Sequence, residues 1–216
     1  MTRYVRRFTL TERLLHWVHA TAFFILLASG LALYLPSLTI VVGRRPLVKS
    51  IHIWTAVAWA VAIVVIGLVG NRRALARTIR EIDLFDRDDG RFLAGNLHSP
   101  QGRFNAGQKV NTILTAAFAV LFAVSGFFLW YGERNTGFRL EGALYLHDAL
   151  MYLSVVLLAG HLYLAVIYPK TRHSLRGITV GAVREDWARA HHAKWIEEIV
   201  PAGDVSSRPT DRRRDR

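Results

Sequence analysis

The chain has 216 residues, 52% of them hydrophobic, with no cysteine and a net charge of +12 from 28 Lys and Arg against 16 Asp and Glu. The lack of cysteine excludes disulfides, Cys-type zinc sites, iron–sulfur ligation and thioether cofactor linkage by this chain. A basic excess can mean nucleic-acid binding, anionic-lipid contact or the cytoplasmic loops of a membrane protein; because the apolar residues gather in long blocks, the last reading is favoured and no nucleic-acid partner is expected.

In chain order, the basic arm Met1–Arg13 runs into Leu14–Leu35. That block is too long for a signal-peptide core, so it reads as a retained first helix. Three further blocks follow, at about 50–70, 110–131 and 143–168, the last with Asp148 near its start. Each reaches the roughly 20 apolar residues needed to cross a ~30 Å hydrocarbon layer. Backbone polar groups cannot go unpaired in lipid, so each should be helical. The expected fold is all-α: an integral membrane four-helix bundle forming one domain over 1–200, followed by a basic tail over 201–216 read as disordered. In the long segment Asn71–Gln108, Ala74–Phe85 reads as an amphipathic interfacial helix and Asp86–Gly90 as a turn. Val183–Val200 reads as a helix, with Trp187 and Trp195 available for packing. No internal sequence repeat is evident.

Lys and Arg set the topology. They crowd the N-terminal arm, the segment from Arg72 to Lys109 and the C-terminal region. The other two loops hold only Arg44, Arg45, Lys49, Arg134 and Arg139. Both termini are therefore expected in the cytoplasm, with the chain multi-pass in a bacterial inner membrane.

Nine histidines are present, and His16, His19, His52, His147 and His161 fall within the apolar blocks. Polar groups at membrane depth point to function, and neutral imidazole is a common axial ligand of haem iron. His147 and His161 lie about 14 residues, or about 21 Å, apart on one helix and on nearly the same face. One helix can thus serve two stacked haems: His52 with His147 at the outer depth, and His16 with His161 at the inner. His19, one turn from His16, competes with it on spacing alone. His98, His173, His191 and His192 lie outside the spans and read as interfacial or solvated. Gly30, Gly67, Gly126 and Gly160 either admit a flat macrocycle or let helices pack closely. Arg7, Arg13 and Lys49 either pair with propionates or snorkel to headgroups. Asp148 either accepts an imidazole Nδ1–H or faces the outer water.

Several motifs occur in order: Arg13-Leu14-Leu15-His16-Trp17, Ser50-Ile51-His52, Phe104-Asn105-Ala106-Gly107-Gln108-Lys109, Tyr145-Leu146-His147 with His161-Leu162-Tyr163, and the tail from Trp187 through His191-His192 to Trp195. In these the chain resembles the gamma subunit of membrane-bound respiratory formate dehydrogenase, a dihaem cytochrome b, from about residue 8 to 198. The resemblance implies His16, His52, His147 and His161 as axial ligands of two b-type haems, and selects His16 over His19. It also implies a quinone site (menaquinone or ubiquinone) made by Asn105, Gly107, Gln108 and His161. The implied partners are an Fe–S beta subunit and a molybdenum or tungsten alpha subunit that oxidises formate, besides membrane lipid. The donor amides suit a quinone carbonyl, although Asn105 could simply cap the third helix. The competing readings are the cytochrome subunit of another respiratory complex, such as a hydrogenase, and a haem-free membrane anchor. A transporter fits less well, because no central carboxylate is present.

Overall fold

The computed structural model describes residues 2–200. The expected tail, 201–216, lies outside the described residues. A short strand β1 (Tyr4–Arg6) leads to helix α1 (Leu10–Tyr34), a short α2 (Pro36–Val42) and α3 (Arg45–Val69). Helices α4 (Arg72–Asp83) and α5 (Arg87–Leu93) precede α6 (Ala106–Gly132), and a 3-10 turn over Thr136–Phe138 leads to α7 (Gly142–Leu162). A π-helical turn, Tyr163–Ile167, continues α7; then come α8 (Leu175–Val180), β2 (Ala182–Arg184), α9 (Glu185–His191) and α10 (Ala193–Ile199).

Helices α1, α3, α6 and α7 with its π turn are long and apolar enough to cross a membrane. They start a few residues before the charge-free blocks, because capping groups hold an extra polar turn outside the hydrocarbon. Thr9 and Glu12 form a reciprocal capping box at α1, and Asn105 and Gln108 form one at α6. Pro46 opens α3, where its missing N–H costs nothing. The spans pack as two pairs, α1 on α3 and α6 on α7. No more than 11% of any span's apolar window is buried by protein, so their apolar surface needs lipid or bound groups to cover it.

The buried apolar core lies elsewhere. Strands β1 and β2 pair antiparallel, with Val5 opposite Val183. Val5, Val183, Ala188, Trp195 and Ile196 pack together, with Trp187 and Val200 against them. This cap gathers the first and last described residues at one end of the bundle, here the terminal end; α2 and the 136–138 turn occupy the far end.

Two polar clusters brace this end of the bundle, the first tying the strand β1 arm to the helices and the second tying α6 to the α4–α5 segment. Arg103 is bonded to Glu12 at 2.7 Å, Glu81 at 2.6 Å and Thr78 at 2.5 Å, and exchanges hydrogen bonds with Arg7: each guanidinium donates to the other's carbonyl. Lys109 meets Asp89 at 2.6 Å and the Leu84 carbonyl at 2.8 Å. Burial and the neighbouring Arg103 lower the Arg7 guanidinium to about 9.

Three local expectations are corrected here. Asp86–Gly90 is not a free turn: Asp86 caps α5, with Asp89 completing the reciprocal box. Val183–Val200 is not one helix: strand pairing takes its start, and the chain breaks at His192, where α9 ends and α10 begins. His192 is not solvated but 1% exposed, with its Nδ1 at 2.7 Å from the Gly102 carbonyl. Burial, reinforced by Arg7, holds its pKa well below the ordinary imidazole value.

Candidate cofactor site between the transmembrane helices

The five span histidines segregate by depth. His52, in the second turn of α3, and His147, early in α7, meet at the far end with ring centres 6.2 Å apart. His16 of α1 and His161, in the last turn of α7, meet towards the terminal end, also at 6.2 Å. His19 joins neither pair; it lies against Trp59 of α3 with ring centres 5.7 Å apart.

The spacing has a chemical meaning. A metal–imidazole bond of about 2.0 Å, with about 1.1 Å more from nitrogen to ring centre, sets two imidazoles on opposite sides of one ion about 6.2 Å apart. Among the described residues, no group of three or more His, Cys, Asp or Glu is placed to hold a metal ion. Two protein ligands do not complete the shell of a bare ion. They do suffice for an iron whose equatorial positions a porphyrin fills.

The surroundings of the two pairs differ. At the far end, Ser29 Oγ lies 2.9 Å from His52 Nδ1, and Ser125 Oγ lies 2.9 Å from His147 Nδ1. A Cβ on Gly30 would stand 3.4 Å from His52 Cε1, and one on Gly126 would stand 3.5 Å from His147 Cε1. Gly67 and Gly160 face open space instead. At the other pair, no hydrogen bond to a ring nitrogen of His16 or His161 is formed among the described residues, and His161 is exposed beside the π turn. Such turns recur at functional sites because they widen the helix locally.

Asn105, Gly107 and Gln108 all belong to the start of α6. The Asn105 oxygen accepts from Gln108 N at 2.9 Å, and the Gln108 oxygen accepts from Asn105 N at 3.1 Å and from Arg7 at 3.1 Å. None of these bonds reaches His161, which meets His16 instead. Arg7 is held by the Arg103 carbonyl and Gln108, Arg13 by the Thr179 carbonyl, and Lys49 by Glu133. The side-chain partner of His147 Nδ1 is Ser125, not Asp148.

Residues 7–181 match the family described as prokaryotic cytochrome b561. The chain belongs to this family. Membership implies b-type haem and, with four apolar helices, a multi-pass protein of the bacterial inner membrane. Among its relatives, the cytochrome b556 subunit of formate dehydrogenase from Haemophilus influenzae is 27% identical over 92% of this chain and 84% of its own length. The cytochrome b556(fdo) subunit of formate dehydrogenase from Escherichia coli K12 is 28% identical over 89% and 92%. The cytochrome b556(Fdn) subunit of the nitrate-inducible formate dehydrogenase from the same organism is 24% identical over 88% and 89%. The resemblance carried by the sequence motifs is thus the one these relatives bear.

Sequence reasoning for this cytochrome b561 chain missed Ser29 and Ser125. A signal existed. The dipeptide Ser-Gly occurs at 29–30 and at 125–126, and the serines precede His52 and His147 by 23 and 22 residues. Only pairing of α1 with α3 and of α6 with α7 gives that local repetition its meaning.

Proposed function

We propose that this chain is the membrane electron-transfer subunit of a formate:quinone oxidoreductase complex. An Fe–S subunit would deliver electrons from a molybdenum- or tungsten-dependent formate-oxidising subunit, and this chain would pass them inward to quinone. The formate-oxidising site lies on the partner, since this chain offers no cysteine for an Fe–S cluster. Both termini would face the cytoplasm, in keeping with the Lys and Arg distribution.

One observation carries the reading: two histidine pairs at different depths, each with ring centres at the separation two imidazoles take across a single iron. His52 and His147 would hold one b-type haem, and His16 and His161 the other. When bound, two such groups supply a pair of one-electron carriers that span the bilayer. The protein's part is to clamp, orient and keep dry. The apolar spans exclude water, and α7 contributes one imidazole to each pair.

The quinone site would be assembled where α6 begins, beside His161. The oxygens of Asn105 and Gln108 are engaged in the cap, while their NH2 groups carry no partner among the described residues. Those amides can donate to a quinone carbonyl. Gly107 is exposed and adds no bulk there.

The test is haem content and redox titration of the purified complex, with each of the four histidines changed to alanine. Each change should remove one b-type haem and leave the other, with His52→Ala and His147→Ala losing the same one. Retention of both haems in any of the four rejects that ligand. Co-purification with subunits of another dehydrogenase or a hydrogenase would reassign the electron donor.

A further inference from the structure

We infer that Ser29 and Ser125 are positioning residues that fix the protonation tautomer and ring plane of His52 and His147, and so lower the potential of the far-end haem relative to the other. The inference rests on those two histidines being its ligands.

The argument begins with a proton count. Each serine hydroxyl has one proton and a carbonyl one turn back to receive it. Ser29 Oγ is 2.7 Å from the Ile25 carbonyl, and Ser125 Oγ is 2.7 Å from the Leu121 carbonyl. With the proton committed there, each oxygen has lone pairs left for the imidazole Nδ1 at 2.9 Å. The ring proton then sits on Nδ1, and Nε2 is left with the lone pair an iron requires. The two serines are 7% and 1% exposed inside otherwise apolar helices. Burying a hydroxyl there is costly unless it is fully bonded, and here each is bonded on both sides.

Each ring thus meets a serine at Nδ1, while the adjacent glycine leaves the space beside Cε1 that a side chain would fill, an added Cβ coming to 3.4 Å at Gly30 and 3.5 Å at Gly126. The two halves of the site repeat this arrangement: Ser29-Gly30 of α1 holds His52 of α3, and Ser125-Gly126 of α6 holds His147 of α7. Nothing equivalent is formed at His16 or His161 among the described residues. An acceptor on Nδ1–H makes an imidazole a stronger donor to iron, which favours the ferric state. The asymmetry therefore lowers the far-end potential. Ser29 and Ser125 are the one side-chain hydrogen-bond partner of the His52 and His147 rings, respectively, among the described residues.

The experiment uses the purified complex carrying Ser125→Ala, Ser29→Ala, the double change, or Ser125→Thr. It reads haem content, midpoint potentials and the low-temperature electron paramagnetic resonance of the ferric haems. His147→Ala, which removes the far-end haem, tells which signal belongs to it. In Ser125→Ala the far-end midpoint should rise and its resonance shift as the ring turns, with the other haem unmoved. Ser29→Ala should do the same, and Ser125→Thr, which keeps the hydroxyl, should restore the native values. An unchanged far-end potential and resonance in the double variant, with full haem content, would overturn the inference. If His147→Ala keeps both haems, the ligand assignment itself has failed, a result distinct from silent serines.

Discussion

Each end of the bundle holds a pair of imidazoles, but the two ends do so in opposite ways. At the far end, His52 and His147 are gripped by buried serines and flanked by glycines, but little protein lies beyond them. At the terminal end, the ring nitrogens of His16 and His161 have no hydrogen-bond partner among the described residues. That end instead lies under a folded cap with its own core and buried charges. The contrast teaches where rigidity is placed. Under the proposed function, a far-end electron entry point can be locked, because only electrons need to arrive, whereas a terminal-end site that would exchange quinone and take up protons benefits from an accessible imidazole beside a polar, hydrogen-bonded layer. The spans supply little stability by burying one another; their apolar surface is left to lipid.

The largest expected effect breaks the far-end grip. Gly126→Val would press a branched side chain against the His147 ring, since even a Cβ would stand 3.5 Å away. If the chain holds the two haems proposed, haem content should fall from two per complex to one, with the terminal-end haem unaffected. Gly67→Val, facing open space, should keep both. Equal loss in the two variants would mean that the glycines serve helix packing rather than the imidazoles.

A smaller effect separates the two ends by their ion pairs. Arg103 is 2% exposed and serves Glu12 and Glu81 together. Removing one partner of such a buried pair typically costs 3–5 kcal/mol, or about that here, because the other charges stay buried. Arg103→Ala should therefore lower the unfolding temperature in detergent sharply. The far-end pair Lys49–Glu133 is 40% and 55% exposed, and Lys49→Ala should cost about 0–1 kcal/mol. Similar losses in the two variants would show that the cap is not the stable part of the protein.

The smallest effect is a pH dependence confined to the cap. His192 is buried beside Arg7, with its pKa held well below 6.5. In the unfolded chain the ring protonates as pH falls through about 6.5, while in the folded cap it stays neutral. Stability at the cap should thus be full above that value and decline below it, because the unfolded state binds the extra proton. His192→Asn should flatten the unfolding temperature between about pH 8 and 5. An identical decline in the variant would assign the acid sensitivity to other groups.

Much of this was legible in the sequence for a plain reason. Four charge-free blocks of membrane length can only be helices in lipid, and helix geometry alone brings His147 and His161 to one face of α7. The choice between His16 and His19 was not open to spacing, because both lie within one turn. The motif resemblance selected His16; in the structure His16 meets His161, while His19 faces Trp59. The segment Asp86–Gly90 read as a turn because its aspartates look like solvent-facing residues. Asp89 is in fact 2% exposed and bonded to Lys109, a partner 20 residues away.

By itself, then, the sequence determined the spans, their helical state and the histidines available at each depth, since these follow from local composition and the cost of bare backbone in hydrocarbon. Tertiary structure alone decided which serine oxygen meets which imidazole, that His192 is buried, and that the folded core sits at one end of the bundle. Those outcomes depend on contacts between residues from about 20 to 190 positions apart, which local periodicity does not encode.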